Sequence, residues 1–186
     1  GSGIVHQEMP RAFDGSMMGF QLWVNLPASQ KMTSPTYRDI KAAQVPLIRK
    51  GQVEIKVIAG HIDGVTGPVQ GIATKPMLAD IYIPHSQSIE IPLSSDFTAF
   101  AYVYEGSCTF GENATLEENT CGLSSKGDAL VAQSGPSGTR FLLASGKPLN
   151  EPIAWYGPVV MNTEEELEQA FDEYENGTFI KNHQPV

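Results

Sequence analysis

Hydrophobic and polar positions alternate over several short stretches, which is the pattern of strands with one wet face. Val53, Ile55 and Val57 alternate with Gln52, Glu54 and Lys56, so side chains at every second position share a face. Ile89, Ile91 and Leu93 repeat the pattern, and Pro92 assigns that run to a strand end or a sheet edge. Met77–Ile83, Phe97–Tyr104, Ala129–Ala132 and Arg140–Ala144 are further apolar runs of strand length. Turn-forming clusters separate them, notably Asp63-Gly64, Gly67-Pro68 and Ser134–Gly138. Nearer the N-terminus, Ile4–Glu8 and Gly19–Leu26 (GFQLWVNL) read as two more strands. Between these regions, Ser29–Ile48 is polar and holds two prolines, which predicts a linker with a turn of helix.

The period changes once. Leu167, Ala170, Phe171 and Tyr174 follow the i, i+3, i+4, i+7 spacing of a helical stripe. Thr163 with Glu166 three residues later forms a capping-box signature, and Gly177 supplies a stop. Many short strands followed by one helix predict a β-sandwich or barrel of the jelly-roll kind.

Composition refines this picture in three ways. The 186 residues are 41% hydrophobic and 18% charged, which suits a folded chain, and 18 glycines with 13 prolines suit a turn-rich β fold. The net charge of −9 argues against a nucleic-acid surface. It is also local: Glu164, Glu165, Glu166, Glu168, Asp172, Glu173 and Glu175 lie on the predicted helix with no Lys or Arg, so all but −2 of the net charge falls there. No apolar run approaches the ~20 residues of a membrane span, and no signal-peptide pattern opens the chain. Two cysteines, Cys108 and Cys121, form neither a disulfide framework nor a metal-binding pair, which fits a reducing, cytoplasmic compartment.

Candidate chemistry is concentrated at the start, in Gly3-Ile4-Val5-His6-Gln7-Glu8-Met9-Pro10. On a strand, His6 and Glu8 project from one face, and an imidazole with a carboxylate suits Fe(II), Mn or a similar ion. Spacing alone leaves both a surface pair and a ligand pair open. His61 at a strand end, His85 after Pro84 and His183 in the tail read as exposed loop residues. Cys108 reads as a strand residue and Cys121 as a loop residue, both structural. No Gly-x-Ser-x-Gly elbow, phosphate loop or HExxH helix is present.

Gly3–Pro10 (GIVHQEMP), Gly19–Leu26 with Lys31-Met32 and Tyr37, Phe141–Glu151 (FLLASGKPLNE) and Tyr156–Thr163 (YGPVVMNT) together resemble the pirin family. The resemblance implies a bicupin: two jelly-roll barrels, the first holding a non-haem Fe(II) through three histidines and one glutamate. His6 and Glu8 match the last two ligands residue by residue. The first two come, in the family, from an upstream His-x-His strand, and no His-x-His occurs in this chain. Pirins normally carry roughly a hundred more residues upstream. The chain is therefore expected to hold half a metal site and to bind the ion weakly or not at all.

Tyr102–Gly106 (YVYEG) and Gly127-Asp128 look like parts of the two general cupin motifs. Ser88–Phe100 lacks the His-x-His, however, and no histidine follows Pro136-Ser137-Gly138, so the second barrel is expected to be metal-free. The expected fold is all-β: a cupin-type jelly-roll barrel with a C-terminal helix, plus the remaining strands of a truncated first barrel. The expected division is 1–27 for the end of the first cupin, 28–50 for a linker, 51–160 for the second cupin, and 161–186 for the helix and tail.

Functionally, the resemblance implies quercetin 2,3-dioxygenase-type activity on a flavonol in the intact protein. The alternative it implies is a redox-responsive regulatory partner, a transcriptional coregulator or a modulator of a metabolic enzyme. A third reading is a stable half with no activity of its own. None of these involves direct contact with nucleic acid or membrane.

Overall fold

Alternation along the strands builds the molecule's core directly. The computed structural model describes residues 1–7, 9, 15 and 17–181, and its packing divides the chain into two units. One unit is Asp39–Pro148; the other joins residues 1–38 with the segment from Leu149 onward.

The Asp39–Pro148 unit contains β1 (Leu47–Lys50), β2 (Val53–Ala59), β3 (His61–Ile62), β4 (Val65–Thr66), β5 (Met77–Ile83), β6 (Ser88–Pro92), β7 (Thr98–Phe110), β8 (Ala114–Glu117), β9 (Thr120–Leu123) and β10 (Ala129–Gly146). The main sheet runs β1-β2-β5-β10-β7-β8, with β6 also on β10 and β9 also on β7. Every ladder in it is antiparallel. The first half of β10 pairs with β6, while the second half pairs with β5; β7 likewise pairs with β9 along one half and β8 along the other. Two long strands thus pass from one layer to the other, which is the jelly-roll arrangement. Their shared bend lies where four residues of β10, Gly135–Gly138, stand opposite Ser107.

Period-two burial fills the interior. Ile55, Ile81, Phe141 and Val103 are register partners across four adjacent strands, and each is fully buried. Lys56, Asp80 and Tyr104 take the opposite face, where the Tyr104 hydroxyl donates to Asp80 Oδ1 at 2.5 Å and Lys56 Nζ sits 3.3 Å from Asp80 Oδ2.

The second unit carries β11 (Ala154–Tyr156), β12 (Val159–Met161) and α1 (Glu164–Glu175). The capping box forms as the spacing requires: Glu166 N donates to Thr163 Oγ1 at 3.2 Å, and Thr163 N donates to Glu166 Oε2 at 3.2 Å. Three acidic residues in the first turn face the positive end of the helix dipole. The C-terminal end closes with Gly177 N on Tyr174 O and Thr178 N on Glu173 O, a Schellman motif around a left-handed Gly177. Leu167 and Ala170 are buried as the stripe predicts. Tyr174 is exposed instead, with its ring edge-on to Phe179.

Five local expectations need correction. Among the described residues, Ile4–Gln7 and Gly19–Leu26 belong to no ladder, so they are not strands. Alternation marks a backbone ready to pair, and only a hydrogen-bonded neighbour makes it a strand. Leu47–Lys50, inside the stretch read as a linker, is a strand because it pairs with β2 from Leu47↔Lys56 to Lys50↔Val53. Ala129–Ala132 and Arg140–Ala144 are parts of one strand, and Cys121 lies in β9 rather than in a loop.

Candidate functional site

The exposed His6 imidazole stands on a segment of the second unit that lies outside any ladder. Glu8 lies outside the described residues, as does His183. His61 and His85 are exposed, and His61 Nδ1 is 3.0 Å from Thr66 Oγ1. Among the described residues, no group of three or more His, Cys, Asp or Glu side chains could hold a metal ion.

What the fold does assemble near the His6 segment is a polar network that periodicity did not reveal. Asn25 Oδ1 accepts from Lys31 Nζ at 2.6 Å and from Leu26 N at 2.9 Å. Glu151 Oε2 accepts from Ala28 N at 2.7 Å and from Asn162 Nδ2 at 3.2 Å. Asn162 N in turn donates to Glu166 Oε2 at 3.0 Å. The bonds tie residues 25–31 to the loop and helix of the C-terminal segment. Lys31 is only 6% exposed, and burial lowers its ammonium pKa, partly offset by the Glu151 and Glu166 carboxylates. The available signal was Lys31-Met32, which belongs to the family-like stretch but carries no spacing that specifies chemistry.

Beside this network is a cavity of about 560 Å³. Ile4, Trp23, Leu26, Met32, Met161 and Phe179 supply apolar wall, while Lys31, Glu166 and Glu173 supply charged groups and Ser2, Asn25 and Gln169 polar ones. Trp23 meets Trp155 edge-on, with ring centroids 6.4 Å apart.

The barrel unit offers different chemistry. A cavity of about 410 Å³ there is lined by apolar side chains such as Phe110, Leu116 and Leu130, with Lys126 its one titratable lining residue. On the outer face, burial and the neighbouring Asp80 raise the Tyr104 pKa, so its phenol stays a donor. Burial also pushes the Cys108 thiol up to about 12 from an ordinary value of 9.0. With dithionitrobenzoate at pH 8, Cys121 should react at once and Cys108 only after denaturant is added, because the thiolate is the reactive form. The raised Cys108 pKa favours the fold fully below pH 9, and this contribution fades as pH rises from 9 toward 12. Urea midpoints of the wild type and Cys108→Ala measured across that window check the sign: the wild type should lose more stability. Equal pH slopes would refute it.

Comparison with known proteins adds a consistent set of likenesses. A family model described as the Pirin C-terminal cupin domain matches residues 78–180. A pirin-like protein of Caulobacter vibrioides is 39% identical over 181 residues, covering 96% of this chain and 65% of that protein. Pirin-1 of Arabidopsis thaliana is 35% identical over 181 residues, covering 95% of this chain and 62% of its own length. The chain thus spans a little under two thirds of these relatives. A solved quercetin 2,3-dioxygenase from Acinetobacter baumannii superposes with a TM-score of 0.79 at 31% identity, covering 84% of this chain and 55% of that one. No helix among the described residues is long and apolar enough to cross a membrane.

Proposed function

Because the chain belongs to the pirin family, we propose that it is part of a non-haem iron cupin that oxidises a flavonol. In this reading His6 and Glu8 supply two of the iron ligands. The observation that carries it is the likeness to the Acinetobacter baumannii quercetin 2,3-dioxygenase, in sequence as well as in fold. The donor chemistry agrees, since one imidazole nitrogen and one carboxylate suit a divalent iron that retains open positions. His6 is exposed, so its ring is accessible to an ion. An iron bound there would supply open coordination positions and redox chemistry toward a flavonol and O₂.

This chain's own part is to present the His6 imidazole, one of whose ring nitrogens would donate a lone pair to the ion. Two donors do not complete the set, and the sequence holds no His-x-His to complete it. The free thiols Cys108 and Cys121 fit a reducing cytoplasm.

The test is metal analysis and oxygen uptake with quercetin, on the full-length protein and on the 186-residue chain. The full-length protein should hold stoichiometric iron and consume O₂ with quercetin. His6→Ala in it should weaken iron binding by about 100-fold or more, since even outer-shell partners are worth 10–100-fold. The 186-residue chain alone should retain little iron. Stoichiometric, tightly held iron in that chain, or full iron content in His6→Ala, would overturn the ligand assignment. Iron without quercetin-dependent oxygen uptake would overturn the enzymatic reading.

One observation favours the regulatory alternative. Val5, Trp23, Val24, Met32, Trp155 and Tyr156 of the second unit are large apolar side chains left exposed, as partner-binding surfaces are. A pull-down with ferrous and ferric full-length protein should then recover different partners, and identical recovery counts against it.

A further inference from the structure

The cavity of about 410 Å³ in the barrel unit separates its polar lining completely from its apolar lining. Ser124, Ser125 and Lys126, consecutive in the loop between β9 and β10, are its polar side chains, and every other residue lining it is apolar or glycine. No carboxylate lines it: Glu112 and Asp128, each next in sequence to a lining residue, stand outside the lining. The apolar part reaches the core, because Ala101, Leu130 and Leu143 line the cavity and are buried. Both layers contribute wall. Leu116 on β8 approaches Gly122 on β9 so closely that a methyl there would stand 2.7 Å from Leu116 Cδ1.

Close-packed interiors leave few voids larger than a water molecule, so an opening of this size that runs down to core leucines is more than a packing fault. Below the loop no side chain offers water a hydrogen bond, and burial of hydrocarbon there is favourable. At the loop, the Ser124 hydroxyl is already committed, donating to the Ala99 carbonyl at 3.0 Å. Ser125 and Lys126 are exposed, and neither side chain has a hydrogen bond or ion pair with another described residue. The mouth therefore presents one positive charge and one free hydroxyl, with no acid in the lining to neutralise the charge.

We propose that this cavity binds a medium-chain aliphatic monocarboxylate, with its hydrocarbon tail between the layers and its carboxylate at the loop, accepting from Lys126 Nζ and Ser125 Oγ. The volume is within the range of small-molecule sites. A ligand polar at one end only is required, because hydroxyls carried around a ring would be buried against Leu116, Leu130 and Leu143 without partners. The site uses neither His6 nor Glu8, so it stands or falls separately from the iron reading.

The test uses the full-length protein and the 186-residue chain after EDTA treatment, which prevents a carboxylate from binding through a metal. Calorimetric titration compares octanoate with hexanoate and with the neutral octanamide. Octanoate should bind about tenfold or more tightly than hexanoate, since two further methylenes are buried. It should exceed octanamide by about threefold, the scale of an ion pair at an exposed rim, and added salt should shrink that margin. Lys126→Glu should remove the preference for octanoate over octanamide. Ala114 is exposed and shares the inner face of β8 with Leu116, which packs on the core, so a larger side chain there would fill the mouth. Ala114→Phe should abolish binding of all three probes while circular dichroism stays unchanged. Equal affinity for octanoate and octanamide overturns the proposal, as does equal affinity for octanoate and hexanoate or an absence of saturable octanoate binding. Unchanged binding to Ala114→Phe also overturns it, because the probe then sits elsewhere. Binding to the 186-residue chain but not to the full-length protein overturns it too, since another part of the protein then covers the mouth.

Discussion

Phe141→Ala should cost about 3–5 kcal/mol of folding stability, a large share of the roughly 5–15 kcal/mol that holds a typical domain. Phe141 is fully buried in the second half of β10, with Ile81 its register partner on one side and Val103 on the other. Its ring meets Phe110 edge-on at 5.2 Å, and both partners lie on the paired strands that form the barrel. Truncation therefore loses burial and leaves a void that flanking strands, fixed by ladders on both sides, cannot close. Urea denaturation read by circular dichroism measures the loss. Leu123→Ala provides the contrast, because Leu123 is 74% exposed and its removal should stay within about 0.5 kcal/mol. A double-mutant cycle with Phe110→Ala should assign about 0.5–1.5 kcal/mol to the ring pair itself. A loss below about 1 kcal/mol for Phe141→Ala would mean that the core repacks, contrary to the close packing expected of such interiors.

The parts of this fold that rest on local pattern were legible in the chain. Met77–Ile83 coincides with β5, and Thr163 and Glu166 form the capping box that their spacing requires. The failures have a common cause in long-range pairing. Glu105-Gly106-Ser107 interrupts the apolar pattern, yet β7 continues through it to Phe110 because β10 supplies hydrogen bonds on the far side. Ile4–Gln7 and Gly19–Leu26 carry the right residues for strands but have no ladder partner among the described residues. The same holds at the candidate site. The His6-x-Glu8 spacing is local and visible, whereas the Lys31 environment depends on contacts such as Ala28 N to Glu151, 123 positions apart. No periodicity in either segment encodes that approach.

The bend shared by β7 and β10 is the clearest case where a local signal and a distant contact have to be combined. Gly106→Ala should cost about 3 kcal/mol or more, since two separate penalties coincide there. Gly106 has φ +69°, a conformation in which any Cβ crowds the following carbonyl. A Cβ at this position would also run into the Gly138 carbonyl oxygen on β10, which belongs to the backbone and cannot rotate away as a side chain could. Relief requires the strands to separate beside the Thr139↔Gly106 register pair, where Thr139 Oγ1 also donates to the Glu105 carbonyl at 3.2 Å. Gly111→Ala isolates the first penalty: its φ is +59°, and nothing lies within 4 Å of the added methyl, so about 1–2 kcal/mol is expected. The difference between the two variants in urea unfolding measures the close approach at the bend. Equal losses would show that the β7–β10 crossing can open by the width of a methyl group without disturbing the barrel. The two glycines would then be interchangeable, and the Gly135–Gly138 irregularity would not need a bare partner at Gly106.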